Sequence, residues 1–170
     1  MAGTGIRLNE AREMRINDVN IKQRQATVRA ETSKFDATRT VDFHDDVARE
    51  LDRYLNRTRQ VSTPGDPLFP TDEGRQFEYS GFAKLFQRIG ARAGASRFSA
   101  HLLRHTWATR FMGNGGDLLT LKRQGGWSEW EMVERYSHAT PIENRDRLPN
   151  PTRLKPGLRS ATVIPIGKVG

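Results

Sequence analysis

The chain contains no cysteine. That excludes a disulfide framework, a thiolate nucleophile and a Cys-ligated zinc. No apolar run approaches the ~20 residues a transmembrane helix needs, and the opening Met-Ala-Gly-Thr-Gly-Ile-Arg has no apolar stretch of the signal-peptide kind. Gly-x-x-x-x-Gly-Lys-[Ser/Thr], His-Glu-x-x-His and Gly-x-Ser-x-Gly are all missing, so P-loop nucleotide hydrolysis, zinc proteolysis and α/β-hydrolase chemistry have no support. The default that remains is a cytoplasmic, water-soluble protein with no membrane role.

What the chain does have is positive charge. Its 170 residues fit one domain, and Lys plus Arg outnumber Asp plus Glu by 28 to 20, a formal net charge of +8. Residues 1–85 carry equal numbers of basic and acidic side chains, so the whole excess lies in the second half. Residues 86–123 are net +6, residues 124–144 are net −3, and residues 145–170 are net +5. A field of this sign favours a polyanion, and its placement puts the anion against the second half.

The hydrophobic pattern predicts an α+β protein, mostly helical, with a small antiparallel sheet. Residues 6–14 read as a short helix. Residues 26–30 and 38–43 alternate as strands around a hairpin tip at 31–37, and a third strand near 19–22 completes a three-stranded meander. Val47, Leu51, Tyr54 and Leu55 mark a helix opened by Asp45 and Asp46. Residues 61–75, with three prolines and two glycines, read as loop. Phe82, Leu85, Phe86 and Ile89 mark the next helix. Ser99 opens another that runs to Met112, with Leu103, Trp107 and Phe111 as its stripe. Residues 118–124 form one more, and Ser128 with Glu131 reads as a capping box for a helix that carries Tyr136. Residues 149–170 read as a basic, proline-containing tail, which leaves residues 1–148 as the domain.

Five short elements carry the chemistry. They are Thr4-Gly5-Ile6-Arg7-Leu8-Asn9-Glu10; Lys34 with Arg39; His101-Leu102-Leu103-Arg104-His105-Thr106; Gly125-Gly126-Trp127-Ser128; and Tyr136-Ser137-His138. Each has an ordinary reading when taken alone. Arg7 and Glu10 stand at ion-pair spacing. Lys34 fits a solvated hairpin tip. His101 and His105 share the spacing of zinc ligands, though without an acidic partner between them. Trp127, Trp130 and Tyr136 fit a helix core, and any one surface arginine fits a solvated face.

Taken together, in order and at these separations, the five elements resemble the catalytic domain of the tyrosine recombinases of the phage integrase family. That family's first box reads Thr-Gly-x-Arg-x-x-Glu, as residues 4–10 do. Its hairpin lysine is followed five residues later by an arginine. Its second box, His-x-x-Arg-His-[Thr/Ser]-x-Ala-Thr, matches residues 101–109. Its third box usually reads Leu-Gly-His-Ser, with a tyrosine nine residues after that histidine. Here Gly125 stands for the leucine and Trp127 for the histidine, an exchange a minority of the family makes. The resemblance spans residues 4–139.

The resemblance implies the fold of the DNA breaking–rejoining enzymes, a small three-stranded sheet packed on a helical bundle, and site-specific DNA strand transfer. Tyr136 would attack a phosphate to form a 3′-phosphotyrosyl link. Arg7 and Arg104 would neutralise the non-bridging oxygens. Lys34 would protonate the leaving 5′-oxygen. His101 would take the phenolic proton or bond a phosphate oxygen, and Trp127 would donate its indole N–H. Glu10 and His105 would orient these groups. Arg39, Arg88, Arg92, Arg97, Arg110, Lys122 and Arg123 would follow the DNA backbone. The chemistry conserves bond energy and calls for no metal and no cofactor.

Double-stranded DNA is the implied partner, with a homotetramer assembled on it. The apolar patch Val163-Ile164-Pro165-Ile166 in the tail is a candidate contact between protomers. The implied setting is the prokaryotic nucleoid or a phage-infected cell. Gly125 in place of leucine suggests looser local packing. The helices and DNA-clamping domain that precede the first box in this family have no counterpart before Thr4, as in an excised or truncated domain. Two other readings stay open: a type IB topoisomerase, and a DNA-binding remnant without catalysis.

Overall fold

The computed structural model describes residues 1–33, 37–59, 63–95 and 97–139. Lys34, residues 149–170 and the Val163–Ile166 patch lie outside the described residues. The chain opens with helix α1 (Leu8–Glu13). Strands β1 (Val19–Asn20), β2 (Gln25–Val28) and β3 (Arg39–Asp42) follow. They form an antiparallel sheet in the order β1-β2-β3, with Val19 opposite Ala26 and Ala26 opposite Val41. Helices α2 (Asp45–Thr58), α3 (Tyr79–Arg92), α4 (Ala100–Gly113), α5 (Leu118–Gly125) and α6 (Glu131–Glu134) complete the described chain.

Side-chain alternation sets the sheet's inner face. Ala26, Val28 and Val41 are buried, and Thr40 and Asp42 turn outward. This face packs with Ile6, Ala11, Met14, Phe43, Ala48, Leu68 and Phe82 into a first core. Trp107, Ala108, Met112, Leu121, Val133 and Tyr136 form a second core among α4, α5 and α6. Strand β3 joins the two halves by packing against α5.

Several sequence expectations shift in detail. β2 stops at Val28 rather than Ala30, because Ala30–Thr32 turns into a 3₁₀ segment. Between the two, the Arg29 guanidinium bonds Asp18 and the Glu13 carbonyl. Ile89 is 44% exposed, so the apolar face of α3 ends a turn earlier than its stripe suggests. Ser99 caps α4 as expected, its side chain accepting from the Leu102 N–H at 3.1 Å. The capping box at Ser128 does not form: α6 begins at Glu131, and the residue before it, Trp130, is already helical. Asp117 caps α5 instead of any residue singled out from the sequence, accepting from the Thr120 N–H at 2.8 Å.

Candidate active site

Arg7 stands immediately before α1, where the chain is still extended. Its backbone N–H donates to Glu10 Oε2 at 2.7 Å, and its Nη1 donates to Glu10 Oε1 at 2.9 Å. Glu10 is buried within the first turn of α1. It also takes a two-pronged contact from Arg39 at the start of β3: Nη1 to Oε1 at 2.9 Å and Nη2 to Oε2 at 2.7 Å. One carboxylate thus holds two guanidinium groups. Burial alone would raise the Glu10 pKa, but the hydrogen bonds and charge of Arg39, with those of Arg7, hold it below the ordinary carboxylate value.

Arg104 is buried in α4. Its Nη2 donates to the Gly125 carbonyl at 2.8 Å and its Nη1 to the Gly5 carbonyl. Its guanidinium carbon lies 4.0 Å from the centre of the Trp127 ring. Desolvation, then repulsion from Arg7, brings its pKa down to about 10, so it stays charged at neutral pH. Burying a cation beside other cations is costly unless an anion shares the site. Arg7, His101, Arg104 and Trp127 line one open cleft of about 710 Å³, together with Ser128, Tyr79 and Met132. A second cavity of about 670 Å³ is lined mainly by apolar side chains of the first core and carries none of the expected site residues.

Gly126 follows α5 with φ 65, a left-handed conformation that favours glycine. A Cβ there would also come within 2.6 Å of the Arg39 guanidinium carbon. Gly125 is buried, and a Cβ on it would run into the six-membered ring of Trp127. The expectation of looser packing at Gly125 is therefore reversed: the larger aromatic at 127 fills the space a side chain at 125 would occupy.

Tyr136 follows α6 and is 5% exposed. Its hydroxyl lies 3.2 Å from His105 Nδ1, and its ring packs beside Trp127 with centroids 5.9 Å apart. Burial raises its pKa above the ordinary phenol value, and the charges of Arg135 and Arg104 offset this only in part. Tyr136 does not line the cleft. The structure thus gathers Arg7, His101, Arg104 and Trp127 at the cleft and packs Tyr136 beside Trp127, with its hydroxyl against His105.

The expected DNA contacts divide. Arg88, Arg92, Arg97, Arg110 and Arg123 are exposed or partly so on α3, α4, α5 and the turn before α4. Lys122 is half-buried, with its ammonium 5.1 Å from the Trp130 ring centre. Arg39 is not a sheet-surface residue: its side chain is 13% exposed and committed to Glu10 and to the Gln124 carbonyl at 3.2 Å. Reading from sequence also missed Gln124, whose side chain receives the Asp42 N–H at 3.0 Å and reaches the Asp42 carboxylate at 3.2 Å. Only its place beside the Gly-Gly pair hinted at it.

A profile of the phage integrase family matches residues 1–143. The chain belongs to that family. It is 30% identical over 146 residues to the tyrosine recombinase XerD of Staphylococcus haemolyticus, which covers 84% of this chain and 48% of that protein. The chain thus spans about half the length of the curated relatives it matches. Among solved structures, the XerA recombinase superposes with a TM-score of 0.72 at 29% identity, covering 81% of this chain and 50% of that one. The XerH site-specific recombinase, solved bound to its palindromic difH substrate in a post-cleavage complex, superposes with a TM-score of 0.63 at 25% identity, covering 81% and 39%. The fold is that of a tyrosine recombinase catalytic domain. Among the described residues no helix is long and apolar enough to cross a membrane.

Proposed function

We propose that this chain is the catalytic domain of a site-specific DNA strand transferase. The observation that carries this reading is the convergence of Arg7, His101, Arg104 and Trp127 on one cleft, with Tyr136 packed against the same tryptophan. Two guanidinium groups at one open cleft suit a phosphodiester, whose non-bridging oxygens gain charge as a fifth ligand adds to phosphorus.

The Tyr136 oxygen attacks the scissile phosphorus. A P–O(Tyr) bond forms as the bond to the 5′-oxygen breaks, leaving a 3′-phosphotyrosyl link and a 5′-hydroxyl. His101 accepts the phenolic proton or bonds a phosphate oxygen, and Lys34 gives a proton to the departing 5′-oxygen. Attack by a second 5′-hydroxyl reverses the step on a new partner strand. Arg7 and Arg104 hold the phosphate, and Trp127 packs over Arg104 and donates its indole N–H. Glu10 and His105 orient these groups. The exposed arginines and Lys122 contact the DNA backbone, which makes binding salt-dependent.

Double-stranded DNA is the substrate, four copies of the protein assemble on it, and residues 149–170 supply a contact between copies. The setting is the cytoplasm, at the prokaryotic nucleoid or in a phage-infected cell. The test is a nicked suicide duplex that traps the covalent stage. An SDS-resistant protein–DNA adduct is expected, and Tyr136→Phe abolishes it. An adduct that survives Tyr136→Phe overturns the assignment.

A further inference from the structure

Three consecutive carbonyls at the end of α5 each accept from a different arginine. Gln124 O receives Arg39 Nε at 3.2 Å, Gly125 O receives Arg104 Nη2 at 2.8 Å, and Gly126 O receives Arg7 Nη2 at 2.5 Å. The last carbonyls of a helix lack partners within it and carry partial negative charge, so they suit guanidinium donors. Arg39 alone among the three also grips Glu10 with both terminal nitrogens. It closes a ring that runs from Arg7 through Glu10 and Arg39 to Gln124, and along the Gly125-Gly126 turn back to Arg7.

We propose that Arg39 is a positioning residue for the Arg7–Arg104 pair, and not a DNA contact. The proposal rests on the strand-transfer reading, because it assigns Arg39 a part in holding the two groups that would bind the phosphate. Two physical effects give it that part. The first is charge sharing. Glu10 divides its charge between two guanidinium groups, which leaves Arg7 with positive charge to offer an anion. Without Arg39 the same carboxylate pairs with Arg7 alone and weakens its pull on phosphate. The second is support. Gly126 lies against the flat face of Arg39, and a Cβ there would sit 2.6 Å from its central carbon. Arg39 is therefore the floor on which the turn rests, and the turn's carbonyls aim Arg7 and Arg104. With its side chain 13% exposed, Arg39 has little surface to give to DNA.

The experiment compares Arg39→Met and Arg39→Lys with the unchanged 170-residue chain. Suicide DNA carries either a normal scissile phosphate or a methylphosphonate, which lacks one negative charge and so depends less on paired arginines. Adduct formation at saturating DNA is expected to fall about 10- to 100-fold for Arg39→Met on the phosphate, the scale of a misplaced catalytic group. The deficit shrinks on the methylphosphonate, DNA affinity changes little, and Arg39→Lys recovers part of the rate, keeping the charge without the fork. An equal deficit on both substrates marks a general folding defect and overturns the proposal. So does a weaker affinity and shallower salt slope with the saturated rate unchanged. If the unchanged chain forms no adduct, the strand-transfer reading fails first. The Arg7 and Arg104 Nε–H resonances then decide: they shift in Arg39→Met if the brace exists, and unshifted resonances overturn it.

Discussion

The hydroxyl of Tyr136 lies 3.2 Å from Nδ1 of His105, one turn of α4 beyond the cleft residue His101. Tyr136 also packs beside Trp127, which lines the cleft shared by Arg7 and Arg104, so this contact helps fix the phenol beside the cleft wall. A single side-chain hydrogen bond contributes on the order of 1 kcal/mol, roughly a fivefold bias. His105→Leu is therefore expected to slow adduct formation by up to about fivefold at saturating DNA, the size of that bias. A faster variant would mean that His105 holds the phenol away from its working position.

The protonation state of Tyr136 follows from its burial. Its pKa is raised by desolvation, so the free protein keeps it a neutral phenol well above neutral pH. An ultraviolet titration of the native protein, minus that of Tyr136→Phe, isolates its ionisation. The difference is expected to have a midpoint above the ordinary value of 10.0. A midpoint below that value would show an already activated nucleophile.

Glu10 ties stability to pH. Its pKa is lower in the folded protein than its ordinary 4.5, so its stabilising effect is complete above that value and is lost as the pH falls through the folded pKa. Glu10→Gln leaves Arg7 and Arg39 without their shared counter-charge, and breaking a buried pair costs about 3–5 kcal/mol. Urea unfolding at pH 7 is expected to show a loss of this order, and the gap between the two proteins narrows at pH 3. A gap that is the same at both pH values would contradict the ion-pair account.

Gly125 and Trp127 act as a pair. Gly125→Leu forces the Trp127 ring aside, and overpacking of this kind costs about 1–3 kcal/mol. Adding Trp127→His frees the space, so the double variant is expected to be more stable than the sum of the single changes by at least about 0.5 kcal/mol. Additive effects would show that the two positions are independent.

Much of this architecture was legible in local pattern. The meander, the Ser99 cap and the order of the helices follow from alternation, helical period and capping chemistry. The cleft was legible because Arg7, His101, Arg104 and Trp127 sit in short, ordered boxes. What local pattern missed are contacts between residues far apart in the chain. Arg39 looked like a surface cation because its partner Glu10 lies 29 residues away, on another element. The orienting role read for His105 came without a partner, because Tyr136 lies 31 residues on. The Ser128 capping box failed for a local reason, since the chain is already helical at Trp130 and α6 starts at Glu131.

The exposed arginines are open to a separate assay. Replacing Arg88, Arg92, Arg97, Arg110 or Arg123 with alanine is expected to reduce the slope of log affinity against log salt by about 1 for each true phosphate contact. An unchanged slope marks a solvated side chain.

In the proposed reaction Tyr136 carries the DNA. Mass spectrometry of the trapped adduct after nuclease and protease digestion tests it directly. The expected product is a nucleotide joined through a 3′-phosphate to the peptide containing Tyr136. A nucleotide on Tyr54, on Tyr79 or on any serine would contradict it.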